Sequence, residues 1–162
     1  EEEIMAGTLK VKIEEDIILN NQNYGSKRTL SIGSIASIVK RIVSVSTTET
    51  GLLGFATTSA TDLSKSYLAG LFDEDDVRYI RITNLDSSNH ITLTFRDEDS
   101  TEFAVKVDAG HSFIYPGDNS TGLADSMHAG GSALTVSLND LVDITADADT
   151  AACSVEVFVA SA

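Results

Sequence analysis

Asp97, Glu98, Asp99 and Glu102 crowd four carboxylates into the seven residues from Arg96 to Glu102, inside the run TLTFRDEDSTEFAVKV. Carboxylates so spaced are the ligands that hard cations such as calcium take. An EF-hand loop begun at Asp97 would need glycine at its sixth position, where Glu102 stands, and glutamate at its twelfth, where Asp108 stands. That template fails, and leaves at most a weak surface calcium site on Asp97 and Asp99. The same residues also make a hairpin tip. With Phe95 opposite Phe103, Leu93 faces Val105 and Ile91 faces Val107, all inward, while Arg96 meets Glu102 as a cross-strand charge pair on the wet face. Asp97 to Thr101 then form a five-residue loop of Asp, Ser and Thr, which bond their local backbone. The knot is therefore expected to be a solvated turn.

FDEDDV (Asp73 to Asp76) and ITADADTAA (Asp147, Asp149) read in the same way, as loops kept wet ahead of strands. His90, His111 and His128 stand singly in turn regions; GHSFIYPGD lacks the paired His-x-His ligands of a cupin metal site. Cys153 alternates with Val155 and Val157, which makes it a small buried hydrophobe rather than an activated thiolate. Ser132 in GGSAL lacks the strand-turn-helix setting of a nucleophile elbow. No glycine-rich phosphate loop is present, and acid pairs are too abundant to single out a glycosidase dyad. The expectation is a chain without catalytic residues, cofactor or metal. Tyr79 and Arg81, with Thr83, share the face opposite Ile80 and Ile82. They form a candidate exposed contact strip for protein or sugar, or else pack against a second sheet or a covering loop.

The elements that must hold these residues are strands. Period-two alternation runs through TLKVKIE, RYIRIT, HITLTF, EFAVKV, ALTVSL and CSVEVFV, filled with Thr, Val and Ile. Turn clusters separate them: NNQNYGS, DSSNH, DEDST, PGDNSTG, HAGG and DADT. Many short strands with regular turns predict an all-β antiparallel sandwich of jelly-roll type, with at most one or two short helices. IGSIASIVKRIV places Ile32, Ile35, Ala36, Val39 and Ile42 at helical spacing, although its β-branched content suits a strand equally. TDLSKSYLAGLF would give a turn or two of helix from an Asp62 cap.

With 42% of 162 residues hydrophobic, the chain can bury one core without disulfides or a structural metal. A single domain over residues 1–162 is expected, with residues 1–16 as an extended docking arm or strand. One cysteine permits no internal disulfide. No apolar run reaches the roughly 18 residues of a membrane helix. EEEIMAGTLK lacks the basic flank and apolar stretch of a secretory leader, so a soluble protein is expected. The net charge of −14 is uneven: residues 1–50 hold six basic and seven acidic groups, residues 51–162 five and eighteen. Such a field repels phosphate backbones and anionic lipid, which argues against nucleic acid and membrane as partners. Lys10, Lys12, Lys27, Arg28, Lys40 and Arg41 all lie in the near-neutral part and make the candidate docking surface for an acidic partner.

Three stretches, MAGTLKVKIEEDIILNN, VRYIRITNLDSSNHITLTF and EFAVKVDAGHSFIYPGD, together resemble the small all-β virion proteins of marine tailed bacteriophages. The resemblance runs from Met5 to Asp118; the C-terminal third is similar only in β character. It implies a structural role on the head or tail of the particle and carries over no site residue. A many-copy head decoration or cement protein fits best, being a rigid acidic module with one docking surface and one solvent surface. Its partners would be the major capsid protein or another virion protein and copies of itself. It would be made in the host cytoplasm and sit on the particle surface. GTLKVKIEED or VEVFVASA would add to a neighbour's sheet edge. A tail- or fibre-associated protein is the nearest alternative. A carbohydrate-binding adhesion module with calcium in its acidic loops is the alternative of another class.

Overall fold

A computed structural model describes residues 6–56, 66–115, 127–128 and 138–162, the side chains of 127–128 and 138–139 excepted. In chain order the strands are β1 (Gly7–Glu15), β2 (Ile18–Leu19), β3 (Gln22–Asn23), β4 (Ser26–Ile35), β5 (Ser37–Val45), β6 (Thr50–Ala56) and β7 (Gly70–Asp73). There follow β8 (Val77–Asn84), β9 (Ile91–Asp97), β10 (Glu102–Val107), β11 (Ser112–Tyr115), β12 (Met127–His128), β13 (Leu138–Asn139), β14 (Leu141–Ala148) and β15 (Cys153–Ser161). No helix occurs among the described residues.

Two sheets form the body, ordered β10-β9-β14-β6-β7 and β11-β8-β15-β5. The chain crosses between them at β5–β6, β7–β8, β8–β9, β10–β11, between β11 and β14, and at β14–β15. Eight strands thus lie as 5-15-8-11 over 6-14-9-10, which is jelly-roll connectivity. The ninth strand, β7, joins the edge beside β6 in the one parallel pairing of the body. Alternation decides what faces inward: Ile80 and Ile82 of β8, Ile91, Leu93 and Phe95 of β9, and Val155, Val157 and Val159 of β15 are fully or almost fully buried in one core. Cys153 belongs to that core as a buried free thiol.

The hairpin of the acidic knot has the expected register, with Phe95 opposite Phe103, Leu93 opposite Val105, Ile91 opposite Val107 and Arg96 opposite Glu102. Its loop closes through Asp97 N–H to the Thr101 carbonyl at 3.1 Å and Ser100 N–H to the Asp97 carbonyl at 3.0 Å, with Ser100 left-handed at φ 64°. Two details differ from the expectation. Phe103 sits on an edge strand and stays 42% exposed, its ring stacked on Phe95 at 4.6 Å. Asp97 lies on the inward face with Phe95 and is 1% exposed, so it is not a solvated turn residue.

Of the two readings open for residues 32–43, the strand holds: they are the end of β4 and most of β5. Their helical spacing has another origin. Ser34 is left-handed at φ 58°, and the β1–β4 register slips there from Leu9–Ile32 to Gly7–Ile35. This bulge resets the alternation, so Ile32 and Ile35, three apart, are both buried. In the described part of TDLSKSYLAGLF, the Leu68 and Ala69 amides donate to the Gly51 and Leu52 carbonyls of β6, which draws the segment into β7 rather than a helix. Asp62, Ser132, the PGDNSTG turn and most of ALTVSL lie outside the described residues.

β1 to β4 leave the sandwich as one long hairpin arm. Asn20 and Asn21, at φ 51° and 62°, form the two-residue turn at its tip, as the NNQNYGS cluster predicts. Its base lies on the outer face of β8 and β15, where Ile32 and Ile35 bury Tyr79 and Ala160 beside Leu9, Val11 and Phe158. The extended strand expected over residues 1–16 is therefore one half of a hairpin that returns through β4.

Truncating the two stacked rings separates core from edge. Phe95→Ala should cost about 3–5 kcal/mol, whereas Phe103→Ala should cost about 1–2 kcal/mol because its ring is half in water. Denaturant unfolding of the two variants measures the difference.

Candidate functional site

Four of the sequence-selected residues meet in one place. Lys10 and Lys12 of β1 stand with Tyr79 and Arg81 of β8 around a groove of about 300 Å3 between arm and body, floored by Val11, Phe158 and Ile114. Of the two readings for Tyr79, the exposed contact fails and the covered one holds: its ring, 4% exposed, lies edge-on to Phe158 at 6.0 Å beneath the arm. Arg81 remains at the groove, 5.8 Å from the Phe158 centroid. It donates to Glu156 at 2.7 Å and to the Thr83 hydroxyl at 2.8 Å. The Arg81 hydrogen bond, with help from Lys40 at 3.4 Å, outweighs desolvation and holds Glu156 below the usual carboxylate range. Lys10 and Lys12 make no ion pair among the described residues. The groove is thus an apolar channel with two open ammonium groups on one wall. Lys27 is tied to Glu14 at 3.0 Å further along the arm, opposite Ile13–Arg28 on its other face, and Arg41 is exposed on edge strand β5. The six basic residues do not form one patch.

A second polar cluster covers the outer face of the other sheet. Arg96 grips the fully buried Asp143 with Nη1 at 3.0 and 3.1 Å from its two oxygens, and donates Nε–H to Glu102 at 2.6 Å. Glu49 approaches the same guanidinium at 3.6 Å and accepts from the Thr145 hydroxyl at 2.5 Å. Tyr67 lies flat over Gly51 and Gly54 and donates to Asp143 at 3.4 Å; a Cβ on Gly54 would stand 2.4 Å from its ring. The glycines of β6 are therefore a seat for Tyr67. Among the carboxylates, the Glu102 bond contributes most to raising the Arg96 pKa. Every named charge here is answered by a neighbour, so the cluster clamps β9, β14 and β6 together. Only the Arg96–Glu102 pair was legible beforehand, because Asp143 and Glu49 join it through strand pairings of long sequence separation.

The third cluster lies at one end of the sandwich. FDEDDV makes a tight turn in which the Asp75 and Asp76 amides bond the side chain and carbonyl of Asp73, while Arg78 donates to the Asp75 carbonyl. The turn is not uniformly wet. Glu74 is only 6% exposed, and burial, followed by the nearby charges of Asp140, Asp75, Asp73 and Glu98, pushes its carboxyl up to about 7. Asp97 is close to Asp140 through the Glu98–Asp140 backbone bond; its Oδ1 accepts from Thr101 N–H at 2.7 Å, while its buried Oδ2 has no hydrogen-bond partner among the described residues. Among the described residues no three His, Cys, Asp or Glu side chains are grouped as metal ligands would be.

The remaining candidates are placed apart. His90 pairs with Asp149 at 3.6 Å, His111 bonds the Ala109 carbonyl at 2.9 Å, and the His128 side chain lies outside the described residues. The Cys153 thiol points at the Ala151 carbonyl at 3.5 Å, and burial pushes its pKa up, away from a reactive thiolate. No family model, curated protein or solved structure matches this chain.

Two outcomes test these clusters. Arg96→Ala strands Asp143 and should cost about 3–5 kcal/mol, as when a buried pair loses one partner, whereas Glu102→Gln at the exposed end should cost under about 1 kcal/mol. For Glu74, the folded chain keeps a proton that the unfolded chain releases near 4.5. Its contribution to stability is full below that pH and is lost as pH rises through about 7. Melts from pH 4.5 to 8 should show Glu74→Gln gaining about 1–3 kcal/mol over wild type at the alkaline end and almost nothing at the acid end.

Proposed function

We propose that this chain is a non-enzymatic structural protein of a tailed-phage particle, a head decoration or cement protein present in many copies. The observation that carries the reading is the hairpin arm: a near-neutral, apolar ribbon standing out from a strongly acidic jelly roll. Residues 7–35 hold four basic and three acidic groups, net +1, and residues 36–162 hold seven and nineteen, net −12. An arm of that kind approaches a neighbouring protein without the repulsion the body would feel, while the body keeps the particle surface soluble. The resemblance of three stretches to marine phage virion proteins supplies the particle. Lys10 and Lys12, open beside the apolar groove, are the contacts we assign to an acidic partner such as a capsid protein.

A many-copy role also suits the energetics, since repetition of one interface lets a modest contact hold by avidity. The carbohydrate-binding alternative has less support, because the one tyrosine chosen for a sugar platform is covered by the arm.

The test is co-sedimentation with particles that lack the protein. Intact chain should pellet with them, and Lys10→Glu/Lys12→Glu should bind about tenfold more weakly and lose its salt dependence. Both positions are partly or fully exposed, so a circular dichroism spectrum should show the fold retained. Failure of the intact chain to pellet would remove the virion role; equal pelleting of the variant would move the contact away from the groove.

A further inference from the structure

The outer half of the arm packs against no other element among the described residues. Ile13 and Leu30, beyond the buried base, are 46% and 40% exposed, and at the tip Ile17, Ile18, Leu19 and Tyr24 are 52%, 70%, 56% and 60% exposed. Ile18 and Leu19 are consecutive in a strand and point to opposite faces, so the ribbon is apolar on both sides. A two-stranded hairpin in water is marginal by itself, and exposed apolar surface of this kind marks an interaction site. The tip also carries acid: Asp16 has no partner among the described residues, and Glu15 is met only by the Ser26 hydroxyl at 2.5 Å.

The body carries a surface of the opposite character. On the outer face of β5, Ile38 and Ile42 are 55% and 65% exposed with the Lys40 ammonium between them. Arg41, next in the strand, is exposed and without an ion pair among the described residues. An apolar tip edged with carboxylates and an apolar strand face bearing Lys40, which lies 3.4 Å from Glu156, therefore occur on one chain.

We propose that the arm tip seats on the β5 outer face of a second copy, Ile17 to Leu19 against Ile38 and Ile42, with Glu15 and Asp16 toward Lys40. The contact is face-on. Arg41 sits on the core-facing side of an edge strand, where a charge blocks further strand addition. Each copy offers one tip and one seat, so the contact builds a reciprocal pair, a ring or an open chain according to its rotation. The inference does not depend on the virion reading, since it concerns purified protein alone.

Sedimentation velocity on the intact chain, without particles, gives the first readout: a mass of two or more copies is expected at micromolar concentration, and a monomer would overturn the proposal. Ile18→Ser/Leu19→Ser removes the tip and Ile38→Ser/Ile42→Ser removes the seat. All four side chains are exposed, so thermal melts should change little. Each variant alone should run with at least a tenfold weaker self-association. Mixed, the two should associate with each other, because one keeps the seat and the other the tip. Loss of assembly in the tip variant only would overturn β5 as the seat. Unchanged assembly in the tip variant, or tip-dependent binding to particles by a monomeric chain, would overturn the second copy as the occupant and leave the particle role standing.

Discussion

Tyr79 and Ala160 face away from a core that the inward residues of β8 and β15 have already filled, yet both are buried. A sheet face bearing an aromatic ring and small apolar groups must be covered, and Ile32 and Ile35 of the arm cover it. This third layer, a few side chains deep, fixes where the arm leaves the body and therefore where Lys10 and Lys12 stand. It also makes the arm's outer half dependent on its root: among the described residues, nothing packs on the ribbon beyond Val11 to hold its direction.

The strands were legible because one face of each is apolar and the other is not. The register of the β9–β10 hairpin could be written in advance from Phe95, Phe103 and the Arg96–Glu102 pair alone, since only one alignment put every apolar residue on one side. Three features were not legible. Ser34 in a left-handed conformation shifts the phase of β4, so Ile32 and Ile35 imitate a helix. Tyr79 has polar neighbours in its alternation, and nothing local announces a strand lying over it. Asp97 and Glu74 look like wet loop acids, because burial at the end of a sandwich is decided by residues far away in sequence.

The charges divide into two kinds. Around Arg96 and around Arg81 each guanidinium is surrounded by carboxylates and hydroxyls, which fixes strands against one another and leaves little for an outside molecule. Lys10, Lys12, Arg41 and Asp16 have no ion pair among the described residues, and these four lie on the arm or on β5. Surface pairs contribute little to stability, but open charges beside apolar side chains select partners and orientations.

The arm is joined to the body in a way that bears on mechanical load. β4 passes through Ala36, whose amide is held by the Ser161 carbonyl at 2.9 Å, directly into β5. β5 is paired with β15 along its whole length, from Ser37–Ser161 to Val45–Cys153. Tension on the tip enters this ladder at its end and is carried by the row of backbone bonds in shear, so they share the force instead of opening one at a time. A module anchored by such an arm would resist being pulled off through its own unfolding, and would yield first where the tip is held.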